Sequence, residues 1–197
     1  MKKEVTKVFI PYVLQLFILV YSIISAFERK YMVLLAGIIA LFITSLPSIL
    51  RKKWGVHLPW TLDLMIAFSF FLHMQGLTIE WYTKYYPFYD KFGHFIGSVT
   101  IALLGLSLGI AIKKYSKIKM KKIYLVLLII ISTLAIGALW EIGEFLADQL
   151  FNQFSQKSLN DTMWDLIYDL AGGIFVGLLT YINFYKIKKI FDTKIIQ

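Results

Sequence analysis

The stretch IYLVLLIIISTLAIGALWEIGEFLA, residues 123–147, decides the fold class. Its first eighteen residues, Ile123 to Trp140, carry no charge. At 1.5 Å per residue they rise about 27 Å, close to the roughly 30 Å of hydrocarbon in a bilayer. A segment of this kind is read as a membrane-crossing helix. Two glutamates, Glu141 and Glu144, then interrupt it one helical turn apart. Ionisable groups at membrane depth cost kilocalories each, so carboxylates in such a place mark a site.

Working outward, comparable apolar windows fall near 8–26, 31–50, 60–79, 91–112 and 161–185. With 58% hydrophobic residues in 197 and a mean hydropathy of +0.68, the chain has more apolar surface than one soluble domain of this size buries. The expected architecture is all-α: a polytopic transmembrane bundle of about six helices, forming a single membrane domain over 1–197. The apolar run from Val8 to Ala26 exceeds a usual signal-peptide core, and Ile24 is a poor residue three places before a cut, so the run is read as the first anchor helix. Prolines are expected at helix ends: Pro11 in the first turn of the first span, Pro47 near the end of the second, Pro59 just before the third and Pro87 in the following loop.

Basic residues set the orientation, because lysine and arginine accumulate on cytoplasmic loops. Six spans put sixteen of the twenty-one on one side: Lys2, Lys3 and Lys7; Arg51, Lys52 and Lys53; Lys113, Lys114, Lys117, Lys119, Lys121 and Lys122; Lys186, Lys188, Lys189 and Lys194. Arg29, Lys30, Lys84, Lys91 and Lys157 fall on the other. This asymmetry predicts that both termini are cytoplasmic. It also accounts for the net charge of +9, so nucleic acid is not an expected partner and the lipid bilayer is. The chain has no cysteine, which excludes disulfides, thiolate zinc sites and cysteine nucleophiles.

Three polar clusters share one expected membrane face. They are Asp90 with His94 at the start of the fourth span, Glu141 with Glu144 and Asp148 at the end of the fifth, and Asp161, Asp165 and Asp169 from the start of the sixth. Spacings of three, four, seven and eight put each cluster along one side of its helix. Asp169 then lies about 12 Å deeper than Asp161. His73, Gln75 and Glu80 from the third span are candidates to complete the lining, while His57 and Asp63 belong to the opposite end. The segment 81–89, with six aromatics in nine residues, reads as an interfacial aromatic belt, with a lipid or glycan stacking surface as the alternative. Glycines four apart at 93/97, 105/109 and 173/177 predict close helix approach.

Carboxylates crowded in a low dielectric repel one another unless a cation joins them or protons neutralise them. A divalent ion resolves the repulsion, and oxygens with one imidazole suit manganese, iron or zinc. The candidate metal ligands are His94, Glu141, Glu144, Asp165 and Asp169. Asp90, Asp161, His73 and Glu80 are assigned to the mouth or to substrate contact. Only Arg29 and Arg51 exist as arginines and neither is placed to neutralise the site, although Lys91 and Lys84 can do so in part. The signatures of phosphatidic-acid phosphatases, HExxH zinc proteases, rhomboid and CAAX-type proteases and CDP-alcohol phosphotransferases are missing, so no residue receives a catalytic role.

The quoted motifs resemble a known family. Asp90/His94, Trp140-Glu141 with Glu144, and Asp161-Thr162 with Asp165-Leu166 and Asp169-Leu170-Ala171-Gly172-Gly173 look like the three ordered motifs of YjdF-like bacterial membrane proteins, over about residues 80–180. A looser similarity runs to VanZ-like proteins, with Glu144 standing where their glutamine would be and their following arginine missing. The YjdF-like resemblance implies a multi-pass protein of the bacterial cytoplasmic membrane and supplies no activity. The reading is therefore an integral membrane protein with a carboxylate and histidine site on the outer leaflet, binding a divalent cation and acting on a lipid-linked or envelope substrate. A proton- or cation-coupled transporter is one alternative. A structural protein whose acids clamp helices together is the other, and whether the chain is an enzyme stays open.

Overall fold

The computed structural model describes residues 2–116 and 121–187, and for residues 2–8 and 114 the backbone alone. Lys117, Lys119, Lys188, Lys189 and Lys194 of the charge argument lie outside the described residues. Among the described residues the main helices are α1 Lys2–Phe27, α2 Tyr31–Trp54, α3 Trp60–Thr78, α4 Trp81–Lys84, α5 Phe88–Tyr115, α6 Lys122–Phe151 and α7 Leu159–Ile182. The all-α class is as expected.

Five of these helices, α1, α2, α5, α6 and α7, are long and apolar enough to cross a membrane. The segment expected as the third span is the helix α3, which falls outside these five because Asp63, His73 and Gln75 dilute the apolar character of its 19 residues. Prolines sit differently from the expectation in one respect. Helix α1 begins at Lys2, so Pro11 lies inside it rather than in its first turn. The upstream residues, although polar, continue the helix, and the proline removes one backbone donor from its interior. Pro47 is likewise interior to α2, which runs on to Trp54 and stops where Gly55 takes a left-handed φ of 64° and caps Leu50 O. Pro59 directly precedes α3, as read from the sequence.

The described chain divides into two compact units, with the boundary between Tyr89 and Asp90 in the first turn of α5. The first unit packs α1, α2 and α3 around Ile18, Ala40 and Met74, all fully buried, with Tyr21, Phe70 and Phe71 against them. Gly37 lets α2 approach closely, because a methyl group there would meet the Ser22 hydroxyl and Met74. Polar pairs tie these helices together: Gln15 donates to Thr44 O (2.7 Å), and Arg51 reaches the Asp63 carboxylate (2.7 Å). Interhelical hydrogen bonds are a recurrent glue where lipid removes the hydrophobic drive for helix association.

The second unit holds α5, α6 and α7, and small residues bring their backbones together. Gly105 lies against Ser132 and the Ile129 Cα, Gly109 against Leu125 and Leu128, and Gly177 against Val126. Gly172 would place a Cβ 3.0 Å from Phe95 O and 3.2 Å from Val99 N, so α7 rides on the α5 backbone at that point. The expected close approach is therefore met at 105/109 and 173/177, whereas Gly97 faces open space. The buried positions of α7, namely Asp161, Asp165, Asp169, Gly172, Gly173, Val176, Gly177 and Thr180, recur every three or four residues. Three aspartates thus share the inward stripe with the small packing residues, while Leu178, Phe175 and Ile182 face outward as a lipid-facing surface requires.

Candidate functional site

Three helix segments of the second unit bring the site together. The first three turns of α5 supply Asp90, Lys91, His94 and Ser98, the later part of α6 supplies Glu141, and α7 supplies Asp161, Asp165 and Asp169. The α7 segment is fixed at its start by Ser158, whose hydroxyl accepts from Asp161 N (3.1 Å) and caps the helix. Asp148 secures the α6–α7 connection by accepting from Ser155 N (2.8 Å) and Gln156 N (2.9 Å).

Burial is nearly complete. Glu141, Asp161, Asp165 and Asp169 are each 5% exposed or less, and Lys91 is 7% exposed. The Lys91 ammonium contacts Asp161 Oδ1 (2.5 Å), Asp165 Oδ1 (2.7 Å) and Asp90 Oδ2 (3.2 Å), and donates to Asp161 O (3.3 Å). The His94 ring lies beyond it. Its Nδ1 faces Asp169 Oδ1 (3.3 Å), and its Nε2 faces Asp165 Oδ1 (3.5 Å) and Glu141 Oε1 (3.7 Å). Asp169 Oδ1 also accepts from the buried Ser98 hydroxyl (2.6 Å). Gly137 makes this possible: a Cβ there would sit 2.8 Å from Asp169 Cγ, so only glycine leaves room for the carboxylate.

Hydrogen bonding leaves part of the site unsatisfied. Both oxygens of Glu141 and Oδ2 of Asp169 are buried without a hydrogen-bond partner. The Thr162 hydroxyl, which accepts from Gln156 Nε2 (2.8 Å), lies near Glu141. Buried polar atoms are ordinarily paired, and a buried carboxylate oxygen left bare costs kilocalories. The site also carries five carboxylates against one lysine, so even a charged His94 leaves three formal negative charges in excess. One ligand-type atom from each of Asp90, His94 and Asp165 lies within 4.8 Å of the other two.

The other expected residues have partners of their own. Glu144 is turned about 60° from Glu141 around α6 and accepts from the Trp140 indole N–H (3.0 Å). His73 and Glu80 belong to the first unit, where His73 Nδ1 meets the Tyr82 hydroxyl (3.0 Å) and Glu80 takes Lys30 (3.0 Å). The 81–89 aromatics form a ring cluster there: Trp81 meets Tyr85 and Tyr89 edge-on, and Tyr82 meets Tyr89, with centroids 5.3–5.4 Å apart. Tyr89 further donates to Leu72 O (2.6 Å) and Tyr82 lies against Gly76, so these two rings pack on α3 while Tyr85, Tyr86 and Phe88 stay exposed. The residues that sequence reasoning undervalued are Lys91 and Ser98. A lysine flanked by Asp90 and His94 inside an apolar helix was the available signal for the first.

With this geometry in view, residues 10–186 match the family described as "Predicted membrane protein (DUF2238)". The chain is a DUF2238 protein. The match spans both units, and the helices place this DUF2238 protein in the membrane as a multi-pass chain. An uncharacterized protein of Thermotoga maritima is 33% identical over 137 residues, which is 68% of this chain and 69% of that protein. Neither match is to a VanZ-like protein. No solved structure matches.

Proposed function

We propose that this DUF2238 protein is a cation-binding membrane protein whose second unit holds one divalent ion among His94, Asp165, Glu141 and Asp90. One observation carries the reading. His94 Nε2 stands 3.5 and 3.7 Å from the Asp165 and Glu141 oxygens, too far for good hydrogen bonds but near the spacing of two ligands on a shared ion. Ligands about 2.1 Å from a tetrahedral metal lie roughly 3.4 Å from each other. Asp169, held by Ser98, then orients the imidazole through Nδ1, the usual second partner of a metal-bound histidine. In this arrangement Asp90 moves from the mouth into the ligand set and Asp169 moves from ligand to orienting group, with Glu144 outside. The unpartnered Glu141 oxygens and the excess negative charge support the same conclusion.

The ion would supply Lewis-acid chemistry, and an oxygen-rich set with one imidazole fits manganese, iron or zinc. Asp90 and Asp161 lie in the first turns of α5 and α7, so a lipid-linked or envelope substrate approaching at headgroup level is the substrate class for screening. The family and its YjdF-like motifs are read as one group, in the bacterial cytoplasmic membrane. The topology that fits takes α3 as a sixth crossing, with both termini cytoplasmic.

A second reading, a structural clamp without metal, is favoured by the Lys91 contacts, which already join α5 to α7. Metal analysis of detergent-purified protein separates the two. Near-stoichiometric metal in the wild type, lost from a folded Glu141→Gln/Asp165→Asn variant, is the expected result. No metal in either protein after growth in metal-replete medium would leave the clamp.

A further inference from the structure

The Lys91 ammonium is surrounded as a metal ion would be. Four oxygens, from three carboxylates and one backbone carbonyl, converge on Nζ at 2.5–3.3 Å, and the side chain is 9% exposed. All four oxygens come from residues that ordinarily ligate hard cations, and two of them, on Asp90 and Asp165, belong to residues of the proposed ion site. Beside this centre, the nine-tenths-buried Glu141 faces His94 Nε2 with Oε1 (3.7 Å), and neither of its oxygens has a hydrogen bond. The acidic cluster therefore has two foci: one on His94 and Glu141, and one already filled by a tethered cation.

We infer that Lys91 occupies the second position of a two-cation carboxylate site, so that the protein takes one divalent ion where the bare carboxylates would take two. Carboxylate-rich bundles commonly hold paired ions bridged by shared carboxylates, and Asp165 is placed to bridge here, facing both Lys91 Nζ (2.7 Å) and His94 Nε2 (3.5 Å). An ammonium on a four-carbon stem delivers the positive charge of an ion without its exchange, and it fixes α5 against α7 at the same time. Removing it withdraws the one ammonium on which Asp90, Asp161 and Asp165 converge.

The inference concerns the same cluster as the proposed function but is read out separately. Purified wild type and Lys91→Ala are titrated with Mn²⁺ alone, and bound metal is counted by equilibrium dialysis, with melting temperature followed in parallel. The expected result is about one more equivalent of Mn²⁺ in Lys91→Ala than in wild type. Mn²⁺ should also raise the melting temperature of the variant more than that of wild type, and Lys91→Ala/Asp161→Asn should lose both effects. If Lys91→Ala cannot be isolated folded, Lys91→Ser, which opens the same space and keeps a hydroxyl, is read in the same assay. A wild type with no Mn²⁺ and a variant with one equivalent would overturn the two-cation site together with the proposed resident ion, leaving Lys91 as the cation of a single position. Equal stoichiometry and equal thermal response in both proteins would overturn the inference, whatever the wild type binds.

Discussion

Asp169 is the residue on which the centre turns. It accepts from Ser98, faces His94 Nδ1, and fits only because Gly137 has no side chain. Ser98→Ala should cost about 1.5–3 kcal/mol, the range for a buried hydrogen bond to a charged group, in denaturation followed by circular dichroism in detergent. A loss within experimental scatter of zero would show that Asp169 does not depend on that donor. Gly137→Ala drives a methyl group into the carboxylate and should destabilise by about 1–3 kcal/mol, with weakened metal retention. Gly97→Ala is the matched control. Its Cβ meets open space, so helix propensity alone applies and the change should be neutral or stabilising by up to about 1 kcal/mol. Equal losses at both glycines would refute the packing argument. At this scale the 3.6-residue period exposed Asp90/His94 and Asp161/Asp165/Asp169, because like spacing means like face. It could not expose Lys91: its Cα lies about 100° around the helix from Asp90, and a long flexible stem rather than register carries its charge to α7. Nor could it separate Glu141 from Glu144, since two residues three apart diverge by about 60° and only tertiary packing selects between them.

Helix ends hold the site in register. Ser158 caps α7 immediately before the aspartate stripe, and Asn152 ends α6 in a left-handed conformation with its N–H on Asp148 O. Ser158→Ala should cost about 1 kcal/mol, as other cap deletions do, and should loosen Asp161 before Asp169 because fraying starts at the terminus. Hydrogen exchange of the α7 amides tests the order, and uniform loosening along α7 would contradict it. Element existence was legible in the sequence because apolar windows of about 20 residues have few other readings in a chain this hydropathic. Boundaries were less so. Helix α1 runs upstream past Pro11, and α2 continues through Arg51, Lys52 and Lys53, because charged residues at a membrane surface end the apolar window without ending the helix. Helix α3 shows the converse, where Asp63, His73 and Gln75 interrupt hydropathy while the backbone stays helical throughout.

For the whole molecule, the number of crossings fixes which loops share a side. If α3 crosses, the α6–α7 loop lies opposite the α2–α3 loop; if it does not, the two lie together. The native absence of cysteine makes this directly measurable with Lys52→Cys and Lys157→Cys and a membrane-impermeant thiol reagent on intact cells. The six-crossing topology predicts labelling of the Lys157 position alone. Labelling of neither or of both would contradict it. Class and membrane residence were readable from composition, and the family match agrees. The convergence of three distant motifs was foreseen from topology, but its chemistry was not, because Lys91, Ser98 and Gly137 act through contacts that linear spacing does not encode. The central claim, an ion bound through His94, has a direct spectroscopic test. The chain has three histidines, so pulsed electron paramagnetic resonance of Mn²⁺-loaded protein can report a bound imidazole with little ambiguity. The account predicts coupling to one histidine nitrogen in the wild type, absent from His94→Gln. No nitrogen coupling in the wild type, or coupling that survives His94→Gln, would contradict it.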